Sequence, residues 1–407
     1  MQNLRYVGKN LFLERISIRS FLKKNKTPFY IYSENQIVSN YKNFVKTFKK
    51  TNPLVCFAAK SNSNVNILKI LSKQGAGADV VSGGELLKAL RAGIKAKKIV
   101  FSGVGKTEEE LKIAIKKKIL LINCESESEA KLVNILAKKL KKKVSIGFRL
   151  NPNVDAKTHK NISTGKAENK FGLSIKNFKS FLKGIDKFKN VKLEALSVHI
   201  GSQILNHKPY EKMLKVIDKI IRKSNYNFDF IDLGGGMGIS YDNKNEKLNY
   251  KKYNLAIKKF LKNHKSKIIF EPGRSIVGNT GFLISKIIYI KESGTKNFVI
   301  LDAAMNDLMR PALYGAKHKI LPSKLRNKKF NKTYEFVGPI CESTDKFTSL
   351  KDFQELKEKE FIIMCDVGAY GMSLSSNYNM RPKPIELLIK GSKIKVIKKR
   401  QKHEELI

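Results

Sequence analysis

The chain has 407 residues, enough to bury a large core and to hold two domains. Its 81 Lys and Arg against 35 Asp and Glu give a formal charge of +46, which invites a polyanion-binding reading. The lysines, however, are scattered along helix-like segments such as 112–118 and 138–143. No zinc-finger, RNA-recognition or helix-turn-helix pattern accompanies them, so no specific nucleic-acid partner is expected. Four cysteines (Cys56, Cys124, Cys341, Cys365) show neither CxxC nor metal-ligand spacing, which predicts free thiols in a reducing compartment and no metal site. Residues 1–26 lack an apolar stretch long enough for a signal peptide, and no later run reaches membrane-span length. The expectation is a soluble, cytoplasmic protein without a membrane partner.

In chain order, Asn10–Ile18 and Pro28–Tyr32 read as strands. Ser33-Glu-Asn-Gln36 is a capping-box pattern that opens a helix to about Lys49. Apolar runs then fall at 55–59, 78–82, 97–102, 119–123, 144–150, 193–200, 228–233 and 267–270. Amphipathic segments such as Val65–Gln74, Gly84–Ala92 and Glu108–Lys117 separate them. Eight strand–helix units predict a (β/α)8 TIM barrel over 27–279. From about Thr280 the pattern changes to strands and turns, at Phe282–Ile290, Asn297–Asp302, Thr333–Val337, Phe361–Val367 and Ile385–Lys398. This predicts a C-terminal β-domain over 280–407, completed by the N-terminal segment 1–26.

In such a barrel the chemistry sits at the C-terminal ends of the strands. The first end carries Lys60, closing the run Val55-Cys-Phe-Ala-Ala. A partly desolvated lysine has a lowered pKa, and its neutral amine can form a Schiff base with an aldehyde. The other ends carry Asp79 and Ser82, Ser102-Gly103, Glu125, Asn151-Pro-Asn153, His199-Ile-Gly-Ser202, Gly234-Gly235-Gly236 and Glu271-Pro-Gly273-Arg274. The three glycines allow close backbone approach to a phosphate, with the dipole of the next helix behind them, or else simply make a tight turn. Ser202 adds a hydroxyl. Glu271 suits a pyridine nitrogen in its protonated form, because an anion favours the cation. His199 is either a ring-stacking residue or a structural histidine. In the β-domain, Cys341 beside acidic Glu342 would have a raised thiol pKa and suit proton donation; it could equally be inert.

Six motifs taken together resemble those of the diaminopimelate decarboxylase family. They are Phe57-Ala-Ala-Lys60-Ser-Asn, His199-Ile-Gly-Ser-Gln203, Gly234-Gly-Gly236, Glu271-Pro-Gly-Arg274, Met305-Asn-Asp-Leu-Met-Arg310-Pro-Ala-Leu-Tyr314 and Gly338-Pro-Ile-Cys341-Glu342-Ser-Thr-Asp345. The likeness spans nearly the whole chain, in the expected order, and includes Thr158-His-Lys-Asn-Ile-Ser-Thr-Gly165 followed by Lys170-Phe-Gly172. The first four motifs are shared with ornithine and arginine decarboxylases.

The resemblance implies an alanine-racemase-like barrel enzyme that uses pyridoxal 5'-phosphate to convert meso-2,6-diaminopimelate to L-lysine and CO2, the last step of lysine biosynthesis. Lys60 would hold the cofactor as a Schiff base. Asp79, His199, Ser202, Gly234, Gly235, Gly236, Glu271, Gly273, Arg274 and Tyr370 would complete its site. Arg274, Arg310 and Tyr314 would grip the carboxylate at the end of the substrate that does not react, with Glu342 on the ammonium there and Tyr370 touching substrate and cofactor. Cys341 would donate the final proton, with Lys60 as the rival donor. Cys341 and Glu342 would reach into the barrel of a second subunit, making a homodimer with composite sites. The competing readings are a polyamine-forming ornithine or arginine decarboxylase, a non-catalytic pyridoxal-phosphate carrier, and a nucleic-acid binder. The first should carry acidic residues where Arg274 and Arg310 stand, and the second should end with the barrel.

Overall fold

The computed structural model describes residues 3–22, 25–156, 164–165, 169–241, 246–294, 296–328 and 330–407. Most of the Thr158–Gly165 motif lies outside them. The chain divides into two compact units: Asn40–Ile239 with Glu246–Ser275, and Met1–Ser39 with Ser240–Asn245 and Ile276–Ile407.

The first unit is a closed barrel of eight strands. In chain order they are Leu54–Ala58, Gly77–Val80, Ile99–Phe101, Leu121–Cys124, Val144–Leu150, Val191–Val198, Phe230–Asp232 and Lys267–Phe270. All eight expected runs are present. Every pairing is parallel, and the last strand closes on the first through Ile269↔Leu54 and Phe270↔Val55. Most of the crossover helices start where side chains take up orphan backbone N–H groups. Asn64 accepts from the Asn66 amide, Ser82 from Glu85, and Thr107 makes a full capping box with Glu110.

Side chains on a strand alternate in direction, so residues two apart share a face. That rule divides the barrel interior into layers. Cys56, Val100, Leu121, Ala195 and Ile269 pack as one apolar cluster. Two residues further along their strands stand Ala58, Ser102, Asn123, Ser197 and Glu271. The same step from Gly77, Gly147 and Phe230 reaches Asp79, Arg149 and Asp232. The interior therefore changes from apolar to polar within one pleat.

The second unit is built on a nine-stranded sheet. Phe29–Ser33 is its central strand, antiparallel to Gly281–Ser293 and parallel to Ile385–Lys390. All five of its residues are buried, which is why it is apolar without alternation. The amino-terminal strands Leu4–Val7, Asn10–Leu13 and Ile16–Ser17 form a small antiparallel sheet. Leu4, Leu11 and Leu13 pack with Phe29, Phe282, Ile363 and Leu387. The N-terminal segment thus completes the β-unit.

Three local expectations are corrected. Asn10–Ile18 is two strands, because Glu14 turns the chain in the left-handed region at φ 52°. Glu14 is held there by Ser33 Oγ at 2.5 Å and Asn35 Nδ2 at 2.8 Å. Ile385–Lys398 is a hairpin, Ile385–Lys390 and Lys393–Lys398, turning through Gly391 at φ 60°. The strands Ile320–Pro322 and Lys346–Leu350 were not anticipated from the sequence. Among the described residues no helix is long and apolar enough to cross a membrane.

Candidate active site

Lys60 leaves the first barrel strand on the 3-10 turn Ala59–Ser61. The Ala58 amide donates to the Pro272 carbonyl at 3.1 Å, tying this turn to the Glu271–Arg274 loop. A Cβ on Gly273 would sit 2.9 Å from Ser61 Oγ, so glycine here permits that approach. Lys60 Nζ lies 2.8 Å from Asp79 Oδ2; Asp79 is fully buried and the lysine side chain is 37% exposed. The amine is thus accessible from one side and held by a carboxylate on the other.

Behind it lies a buried acid cluster. The Asp232 and Glu271 carboxyls are hydrogen-bonded to each other. Asp232 also accepts from Asn123 Nδ2 at 2.9 Å and from the Gly234 amide at 3.0 Å, while Ser102 Oγ lies 3.4 Å from Glu271 Oε1. Two adjacent carboxylates cannot both be ionised away from water. Burial pushes Glu271 well above its ordinary range, and the charges of Asp232 and Asp79 add to this.

His199 accepts at Nδ1 from the Gly235 amide at 3.2 Å, so its own proton sits on Nε2. Burial, then the charges of Arg149 and Lys60, hold its pKa well below the usual histidine value. The ring is neutral. Gly234, Gly235 and Gly236 are needed sterically: a Cβ on Gly235 would stand 2.1 Å from the Glu271 carbonyl, and one on Gly236 2.2 Å from that of Gly201. No helix follows these glycines directly. Met237 bridges to Ile204, and among the described residues the next helix is Tyr250–Leu261, so no described helix stands directly behind the loop as expected. Ser202 accepts from Arg274 Nη2 at 3.0 Å, which sets a guanidinium and a hydroxyl beside the glycine loop.

Sequence reasoning missed Arg149, Asp232, Asn123 and Ser197. Arg149 is buried, paired to Glu125 at 3.0 Å and set over the Phe171 ring at 4.6 Å. The signal that would have found all four is the two-residue step inward from the strand ends. Two buried polar atoms, Asp79 Oδ1 and Arg149 Nη2, have no hydrogen-bond partner among the described residues. Together with the accessible amine, the glycine cradle and the buried acid, they fit a phosphorylated pyridine aldehyde.

The β-unit presents the other candidates. Arg310 begins the short helix Arg310–Tyr314 and is buried; Tyr314 is half-buried. Tyr370 sits at φ 58° in the Gly368–Gly371 turn. The 338–345 loop folds around buried Asp345, which accepts from the Met305 and Ile340 amides, each at 2.7 Å. It leaves Cys341 and Glu342 exposed. Glu342 accepts from Tyr378 Oη and from Thr344 Oγ1, and these bonds lower its pKa.

Comparison with known proteins gives consistent matches. The family described as "Pyridoxal-dependent decarboxylase, pyridoxal binding domain" matches residues 34–278. A diaminopimelate decarboxylase of Aquifex aeolicus is 40% identical over 99% of this chain and 96% of its own. The crystal structure of diaminopimelate decarboxylase from Helicobacter pylori complexed with L-lysine superposes with a TM-score of 0.90 at 42% identity, covering 95% of this chain and 98% of that one. That of M. jannaschii, also with L-lysine, gives 0.92 at 34%, covering 99% and 96%.

Proposed function

Because this chain belongs to the diaminopimelate decarboxylase family, we propose that it removes one carboxylate from meso-2,6-diaminopimelate, giving L-lysine and CO2, with pyridoxal 5'-phosphate as cofactor. The observation that carries this reading is the Lys60 amine, open on one side and paired to buried Asp79, in a barrel mouth that also holds the proton-sharing Glu271. When bound, the cofactor supplies an aldehyde for amines and a ring that withdraws electrons from the carbon losing CO2. Lys60 is the amine that holds it. The Gly234–Gly236 loop, Ser202 and Arg274 take the phosphate, His199 supports the ring face as a neutral imidazole, and Glu271 partners the ring nitrogen. Incubation with meso-diaminopimelate and cofactor should yield lysine and CO2 in equal amounts. Turnover of ornithine or arginine instead would transfer the assignment to the polyamine-forming enzymes.

Arg310, with Arg274 and Tyr314, grips the carboxylate of the unreacting end, and Glu342 takes the ammonium there. An arginine suits this because its planar fork matches two carboxylate oxygens. Arg310→Ala should lower kcat/KM for diaminopimelate by roughly 10²–10³-fold, the scale of an unpaired buried ion. Lysine offered as a trial substrate for loss of its own carboxylate has no second one, and should lose much less. Equal losses on both would remove Arg310 from the clamp.

Cys341 delivers the final proton, Tyr370 touches both substrate and cofactor, and the working unit is a homodimer in which the 338–345 loop serves the partner's barrel. The exposure of Cys341 and Glu342 supports that arrangement. Lys60→Ala and Cys341→Ala proteins should each be nearly inactive. Mixed equally and allowed to exchange, they should recover about a quarter of wild-type activity, since about half the dimers carry one intact site of two. Exchange without recovery would show that each loop serves its own barrel. The three buried free cysteines fit a reducing, cytoplasmic setting.

A further inference from the structure

His318 lies eight residues beyond Arg310 and is buried with it. Its Nδ1 stands 2.8 Å from the Cys365 carbonyl oxygen. A carbonyl only accepts, so Nδ1 carries the proton. A neutral ring then has its lone pair on Nε2, which lies 2.7 Å from Arg310 Nη1. The guanidinium donates there. Its flat face rests on the Tyr241 ring, 4.5 Å from the centroid, and Tyr241 in turn meets His318 edge-on, with centroids 5.3 Å apart at 78°. Arg310 is therefore held along one edge by an acceptor and across one face by an aromatic ring.

An arginine side chain has several rotatable bonds, and a two-point grip on a carboxylate works only when the fork is already oriented. Histidine in this tautomer supplies an uncharged acceptor. A carboxylate in its place would orient the fork equally well but neutralise the charge that a ligand carboxylate needs. We propose that His318 is a positioning residue that orients Arg310 for the carboxylate of the unreacting end, and so sets preference for ligands that carry it. This rests on the assignment of Arg310 to that carboxylate.

The test uses holoenzyme and two competitive inhibitors that share a five-carbon chain with an amine at each end. L-Lysine keeps the carboxylate of the unreacting end; 1,5-diaminopentane has none. His318→Ala should raise the inhibition constant for L-lysine about tenfold, the scale of a lost hydrogen bond to a charged group, and shift that for diaminopentane less than about twofold. His318→Gln, whose amide oxygen can accept from Arg310, should recover most of the L-lysine affinity. His318→Asn keeps a donor for Cys365 but is too short to reach Arg310. It should behave like the alanine variant, and it serves if that variant fails to fold. Equal weakening of both inhibitors would reduce His318 to a structural role and overturn the proposal, as would unchanged L-lysine binding in the asparagine variant. Arg310→Ala is the control. If it does not separate the two inhibitors, the Arg310 assignment fails. If it separates them and the His318 variants do not, only the positioning role fails.

Discussion

If Lys60 holds the cofactor as proposed, Lys60→Ala should lose activity by roughly 10²–10⁴-fold or more, because the same amine would then stand next to the reacting carbon. Borohydride treatment of the wild-type holoenzyme should fix the cofactor on Lys60, read by peptide mass; a label on another lysine would sink the assignment. The variant should still bind free cofactor through the glycine loop. It should also be less stable without cofactor. Asp79 is fully buried, and Lys60 is the cation that compensates it. Removing one partner of a buried pair costs about 3–5 kcal/mol, but Lys60 is 37% exposed, so about 1–3 kcal/mol is expected here. Adding Asp79→Asn should restore most of that loss, because the uncompensated charge is then gone. A double variant no more stable than Lys60→Ala would show that the pair contributes nothing to the fold.

Glu271→Gln should lower kcat by about 10²–10³-fold, the scale on which a single preorganised electrostatic partner acts. A second reading needs no cofactor. Burial raises the Glu271 pKa well above its ordinary value of 4.5, with Asp232 and Asp79 adding to the effect. A carboxyl shifted this way favours the folded state while protonated. Its contribution is complete below the unfolded pKa and disappears as pH rises through the folded one. Glutamine does not titrate. Cofactor-free wild type should therefore lose stability relative to Glu271→Gln as pH rises above the ordinary carboxyl value of 4.5 and through the raised folded one. A melting-temperature difference that stays flat across that range would mean the two carboxyls do not share a proton.

The barrel was legible because each of its strands is a short apolar run and most crossovers open on a residue such as Ser82 or Thr107 that can cap them. Lys60, Glu271 and Gly234–Gly236 were legible because they stand at the ends of those runs. Asp232 and Arg149 were not. Each looks like an ordinary polar interruption until the strand's facing is known, and facing is set by neighbouring strands. The 338–345 loop owes its shape to Asp345 capping the Met305 amide, 40 residues away in sequence, which no local pattern reveals. Lys346–Leu350 alternates polar and apolar residues too briefly to stand out, and Ile320–Pro322 is defined only by its pairing with Phe361–Met364.

The central strand Phe29–Ser33 has a consequence for how the chain is made. Its two neighbours in the sheet are Gly281–Ser293 and Ile385–Lys390. Tyr32 donates to Glu386, 354 residues away. On a ribosome adding about 5–20 residues per second, this apolar strand waits roughly 20–70 s for its last partner. One edge stays open until Gly281–Ser293 is made and the other until Ile385–Lys390 is made, and an unpaired apolar strand is a template for pairing with other chains. The barrel, by contrast, is nearly continuous in sequence and can close while translation proceeds. Holding factors that bind nascent chains should therefore protect the first forty residues most, and the yield of active protein should depend on how quickly the C-terminal third is translated.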